Sequence, residues 1–146
     1  MKKFALFLLI AFAAGNLPAA ESQWLTSLPD AQALAKKENK PVFVDFTGSD
    51  WCPGCIRMEK DVLSKPQFLD YAKTNLILVQ LDYPLDKPQS PELRKTNEAI
   101  ATNYKVEGFP VFMLLKPDGT VAWRQDGYLP GGPSAIIAAL DKAKKS

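Results

Sequence analysis

The sequence predicts an α/β domain: a small mixed four-stranded sheet, helices on both of its faces, and a final antiparallel hairpin. Three observations carry this. Short apolar runs rich in β-branched and aromatic residues recur at 42–47, 76–81 and 111–115, with the weak alternation expected of strands buried on both faces. Stretches of helical patterning separate them, which implies crossover connections and parallel strand neighbours. Pro117-Asp118-Gly119 then marks a tight turn before the last extended stretch at 120–124. A chain of 146 residues suits one compact domain, and 47% hydrophobic against 23% charged residues excludes a disordered chain.

The elements follow in order. Residues 29–39 read as a helix with Asp30 as its cap and Ala31, Leu34 and Ala35 on one apolar face. Pro41 opens the first buried strand, and the polar stretch Gly48-Ser49-Asp50 leads out of it. A helix is expected from Cys52 to about residue 63, with a second piece after Pro66 turning Phe68, Leu69 and Ala72 inward. The strand at 76–81 ends in a loop, 82–90, punctuated by Pro84 and Pro88. Pro91 fits the first position of a helix running to about residue 104, since its fixed φ suits a helical start. After the hairpin, residues 127–133 read as loop. Residues 134–145 read as a closing helix with Ile136, Ile137 and Leu140 inward.

The N-terminus reads differently. Lys2 and Lys3 precede an unbroken apolar run from residue 4 to residue 14, and small residues and Pro18 follow. The run is too short to span a bilayer, so residues 1–20 are expected to be a secretory signal peptide, leaving a domain at 21–146 that is exported and soluble. Its cleavage point is open among small-x-small sites. Removing those two lysines from 18 basic residues leaves 16, against 16 acidic ones. A zero net charge argues against a nucleic-acid surface. The chain has no histidine, which excludes Ser-His-Asp and Cys-His catalysis and His-ligated zinc.

Chemistry concentrates at Trp51-Cys52-Pro53-Gly54-Cys55. Cysteines three apart on a helix share a face, within the Cα separation of about 4.4–6.8 Å that a disulfide needs. Cys52 at the helix N-cap meets free N–H groups and the positive end of the dipole, which lowers its pKa and makes it the nucleophilic thiolate. Pro53 costs nothing in the first turn, and Gly54 leaves room beside the sulfur. Cys55, one turn inside, is expected to be the better shielded and to resolve the mixed disulfide. Other readings are a structural bridge, half of a zinc site, or inert thiols. A loop this small constrains little, and no further His or Cys exists to complete a zinc site. Such a pair carries its own electrons, so neither cofactor nor metal is expected.

Val44-Asp45-Phe46, the Trp-Cys-Pro-Gly-Cys motif, and Gly108-Phe109-Pro110 before a strand together resemble the thioredoxin family, and most of all its exported thiol-disulfide oxidoreductase branch. The resemblance covers residue 41 to the C-terminus. It implies a thioredoxin fold and a redox-active Cys52–Cys55 disulfide. It also implies a cis peptide at Pro110 facing the cysteines, and backbone groups at Phe109 that bind an incoming strand. Trp51 would shape the docking surface. Asp45 matches the family's buried carboxylate, which takes a proton from the resolving cysteine. Two departures stand out. Seven residues, not the usual six, separate Asp45 from Cys52, which leaves Asp50 as an alternative. The Pro-Gly order is the reverse of the commonest one.

Oxidising members commonly place a histidine between the cysteines, whereas Pro53 and Gly54 carry no charge. The expected direction is therefore a reductant or isomerase, acting on exported proteins that contain disulfides and recharged by a membrane-embedded thiol reductase. Non-enzymatic alternatives are a redox-inactive binding module on the same scaffold and a thiolate carrier of copper.

Overall fold

The structure is a computed structural model, and it describes residues 23–146. The expected signal peptide lies outside the described residues. Five strands and five helices follow in order: β1 (Trp24–Leu25), α1 (Leu28–Glu38), β2 (Val42–Thr47), α2 (Pro53–Met58), α3 (Pro66–Asn75), β3 (Ile77–Asp82), α4 (Pro91–Asn103), β4 (Val111–Leu115), β5 (Val121–Asp126) and α5 (Gly132–Lys144). A π-helical turn, Glu59–Leu63, continues α2. The sheet order is β1-β3-β2-β4-β5. No helix among the described residues is long and apolar enough to cross a membrane.

The α/β class, the mixed sheet and the final hairpin are as expected, and three details differ. The sheet has five strands, not four. Two residues, Trp24 and Leu25, pair parallel with Leu78 and Val79, too short a strand for any periodicity to register. The helix α1 is capped by Ser27, whose hydroxyl accepts from the Asp30 N–H at 3.3 Å, so Asp30 lies inside the first turn. Finally, only β1, β2 and β3 run parallel; β4 is antiparallel to β2 although a helix precedes it. The connection through α4 starts and ends at the same end of the sheet. Tyr83 donates its N–H to Thr47 O at 2.8 Å at one side of it, and Val111 pairs with Phe46 at the other. A crossover that does not carry the chain back to the strand starts must deliver the next strand reversed.

The alternation of β2 splits the core. Phe43 faces one side, with Phe68, Phe112, Ile136 and Leu140 beneath α3 and α5. Val42, Val44 and Phe46 face the other, with Leu28, Ala31 and Ala35 of α1. Phe43 stacks on Phe112 and meets Phe68 edge-on, with centroids 5.9 and 5.6 Å apart. The same alternation turns Asp45 and Thr47 towards the side of Phe43, the side that carries α2. The strand is therefore apolar until it approaches the motif, where its last two side chains on that face become polar.

Candidate active site

The motif begins where β2 stops. Gly48 accepts hydrogen bonds from Trp51 N–H at 3.3 Å and Cys52 N–H at 2.9 Å, turning the chain into α2. Cys52 is the N-cap, with extended backbone (φ −86°, ψ 111°), and its sulfur accepts from the Cys55 N–H at 3.2 Å. The two cysteines are disulfide-bonded with Cα atoms 5.2 Å apart. Cys55 Sγ in turn accepts from Gly48 N–H at 3.4 Å. Each residue is only 4% exposed. The expected difference in shielding between them is thus absent in the disulfide, and their distinction lies in position along the helix.

The Phe109–Pro110 peptide bond is cis. Pro110 faces the motif: a Cβ added at Gly54 would stand 3.2 Å from Pro110 Cδ. Gly54 therefore makes room for that ring rather than for the sulfur alone. A groove of 300 Å³ runs along Phe109, Pro110 and Gly127 towards Arg124 and Asp126.

Trp51 is 41% exposed. Its indole N–H donates to Tyr83 O at 2.8 Å, and its ring meets Phe109 edge-on at 5.9 Å. Phe109 stacks on Tyr83 at 4.8 Å. Tyr83 thus joins the two halves of the site, a role that nothing in the sequence signals. Gly48 is equally required, because a Cβ there would lie 2.5–2.8 Å from the Trp51 ring.

The two candidate carboxylates are in opposite surroundings. Asp45 is 3% exposed, and its hydrogen-bond partner is the amide of its cross-strand neighbour Gln80, at 3.0 Å. Burial pushes its pKa up to about 7; the Gln80 hydrogen bond opposes the rise, and the charges of Glu59 and Asp82 add to it. Asp50 instead accepts three backbone N–H groups, from Leu85 at 3.0 Å and from Asp86 and Lys87 at 2.8 Å each. These bonds hold its pKa below the usual carboxylate range. Asp50 therefore anchors the 82–90 loop, while Asp45 has the environment of a proton acceptor near neutrality.

Beneath the disulfide a cleft of 530 Å³ is lined by Cys55, Glu59, Gln80, Lys60 and Lys87 among others. Glu59 belongs to no motif in the sequence, and the fold brings it to the wall of this cleft. It follows Cys55 by four residues, hence one turn along the same helical face, and that spacing was a usable signal. Its carboxyl is desolvated by the cleft wall and its pKa is raised. Gln80 was also readable in principle, as the polar residue inside Ile77-Leu78-Val79-Gln80-Leu81.

Three comparisons bear on this geometry. A family model described as thioredoxin-like domain matches residues 28–144. The chain is 35% identical over 129 residues to the disulfide bond reductase DsbH of Chlamydia pneumoniae, covering 88% of this chain and 76% of that protein. A solved structure of a DsbH oxidoreductase superposes with a TM-score of 0.78 at 32% identity, over 99% of this chain and 95% of that one. The oxidised C-terminal domain of Neisseria meningitidis DsbD shares the fold, with a TM-score of 0.62 over 82% of this chain and 98% of that domain at 23% identity. The chain with its Cys52–Cys55 pair thus belongs to the thioredoxin-like domain family and is a thiol-disulfide oxidoreductase.

Proposed function

We propose that this protein is an exported reductant or isomerase of protein disulfides. The observation that carries the direction is the uncharged Pro53-Gly54 pair between the cysteines, in a chain without histidine. A strong disulfide donor needs its reduced thiolate heavily stabilised. Here the helix N-terminus and backbone amides are what the structure offers Cys52, which acidifies it moderately. The reductase name of the similar Chlamydia protein points the same way.

In the forward reaction the Cys52 thiolate attacks one sulfur of a substrate disulfide. That S–S bond breaks, a Cys52–substrate disulfide forms, and the released substrate thiolate is protonated by solvent. Cys55 then gives up its proton, attacks Cys52 Sγ and releases the second substrate sulfur as a thiolate, which takes a proton from solvent. Two electrons pass to the substrate, and the Cys52–Cys55 disulfide remains. Asp45 is the base for the Cys55 proton, and the charge of Glu59 helps to raise its pKa; Trp51, Phe109 and Pro110 receive the substrate chain. An oxidising compartment continually removes these electrons, so a membrane-embedded thiol reductase must return them. Lys2-Lys3 and the apolar run after them support export, with residues 1–20 removed.

Equilibration of the purified protein with glutathione buffers tests the direction. The expected potential falls between about −180 and −270 mV, the range of isomerases and thioredoxins. A value of about −120 mV, that of a dedicated oxidase, would overturn the proposal, as would a chain recovered from growing cells wholly in the cytoplasm.

A further inference from the structure

The three residues before Cys52 are each fastened to one other segment. Ser49 donates its N–H and its hydroxyl to the Asp82 carboxylate, at 3.0 and 2.6 Å. Asp50 accepts the three consecutive N–H groups of Leu85, Asp86 and Lys87. Trp51 donates its indole N–H to Tyr83 O. The loop from residue 82 to residue 87 is thereby tied, residue by residue, to the approach to the nucleophile.

What this fastening presents is an apolar side chain that the fold itself does not use. Leu85 is 72% exposed, the most exposed large hydrophobic residue among those described, and the next residue of this kind along the same cleft is Trp51. The two share a cleft of 270 Å³ whose rim carries Arg94 and Glu98. Its lining residues Trp51 and Tyr83 both meet the ring of Phe109, which lines the groove along the cis Pro110.

We propose that Asp50 is a positioning residue for substrate selection. It holds Leu85 beside Trp51 so that the two clasp an apolar side chain flanking the disulfide of an extended polypeptide. The inference rests on the thiol-exchange function given above and names a feature of its substrate. The physics is pre-organisation: a loop already ordered by three charge-assisted hydrogen bonds does not have to be ordered again when substrate docks. Each apolar group removed from water on both sides then adds to affinity. A half-buried surface carboxylate is enough for this role, because it acts on the loop N–H groups and not through its charge at the disulfide.

The test uses two symmetric, disulfide-linked dimers of one unstructured peptide, with either Leu or Ser on both sides of the single cysteine. The reduced full chain transfers two electrons and two protons to each dimer and yields two peptide thiols. The expected preference in the second-order rate constant for oxidation of the reduced chain by the Leu dimer over the Ser dimer is about tenfold, as befits partial burial of an aliphatic side chain. Asp50→Ala and Leu85→Ser should bring that ratio to within about twofold of one, while Leu85→Met retains it. The potential of the Cys52–Cys55 pair should be the same in all variants. A preference that survives in Asp50→Ala or Leu85→Ser, or a wild-type chain that shows none, overturns the proposal. If the reduced chain transfers electrons to neither dimer, the thiol-exchange function fails, and this inference falls with it.

Discussion

Asp45 and Asp50 sit five residues apart on either side of the end of β2, and the chain treats them oppositely. Asp45 is sealed in the sheet with one neutral amide partner, and burial raises its pKa to about 7. Asp50 lies at the surface under three backbone N–H groups that keep it ionised. On the proposed mechanism the same functional group serves proton transfer in a lower region, on the buried side of the disulfide, and substrate binding in an upper one, on the exposed side. Environment assigns the role, and the disulfide marks the boundary between the two.

The strongest way to break this division is to remove one sulfur at a time. Both cysteines are equally buried, so exposure cannot choose the nucleophile. The N-cap position of Cys52 assigns it to the surface region, and the cleft-lining position of Cys55 assigns that residue to the buried one. Cys55→Ser should accumulate covalent mixed disulfides with substrates, and Cys52→Ser none, with turnover abolished in both. Non-reducing electrophoresis of acid-quenched reactions reads the difference. Trapping by Cys52→Ser alone, or equal trapping by both, would place the nucleophile in the wrong region.

Asp45→Asn tests the lower region. Loss of the base should slow resolution of the mixed disulfide by about a hundredfold at pH 7, the low end of general-base contributions. Stability moves the other way. The folded pKa of Asp45 lies above the ordinary value of 3.8, so between that value and about 7 the folded state binds the extra proton. Stability must therefore fall as pH rises through this window, by up to about 4 kcal/mol once Asp45 is ionised in the fold. The amide replacement has no charge to bury and should flatten most of this slope, so the variant should be the more stable one at pH 8. Denaturant midpoints of the oxidised protein from pH 4 to pH 8 measure this. A wild-type chain that gains stability across that range would refute the assignment.

The two regions also differed in how far the sequence revealed them. The lower one was largely legible. A buried strand follows from Val42-Phe43-Val44, a helix start from Pro53, and the family resemblance supplied Asp45. The upper region was legible only at Trp51, Phe109 and Pro110, whose cis bond the structure contains. The spacing of seven left Asp50 open as an alternative base, because a sequence does not say whether a carboxylate will be sealed or exposed. Its three donors come from 35 to 37 residues away, and backbone N–H groups carry no side-chain signature. Tyr83 was hidden for the same reason, since its carbonyl and its ring act on elements distant in the chain. The reversal of β4 escaped as well. Patterning records which residues are buried, while strand direction depends on where the connection through α4 ends.

Gly48 is where the two regions touch, and it supports the smallest of these predictions. Its N–H donates to Cys55 Sγ on the buried side, and its carbonyl accepts from Trp51 and Cys52 at the start of the motif. Its α-carbon lies against the Trp51 ring, where an added methyl would approach to 2.5–2.8 Å. Gly48 is itself buried, so the clash cannot be relieved by moving the backbone outward. In Gly48→Ala the exposed ring must yield, and with it the indole hydrogen bond to Tyr83 O. The expected cost is about 1–2 kcal/mol, in the range of modest overpacking. If the two regions are separable, the damage stays in the upper one. Substrate docking should weaken and the indole N–H resonance of Trp51 should shift, while the fall of stability between pH 4 and pH 8 keeps its wild-type amplitude, because Asp45 and Gln80 are untouched. An altered pH slope in Gly48→Ala would mean that the two carboxylates share one energetic unit across the disulfide.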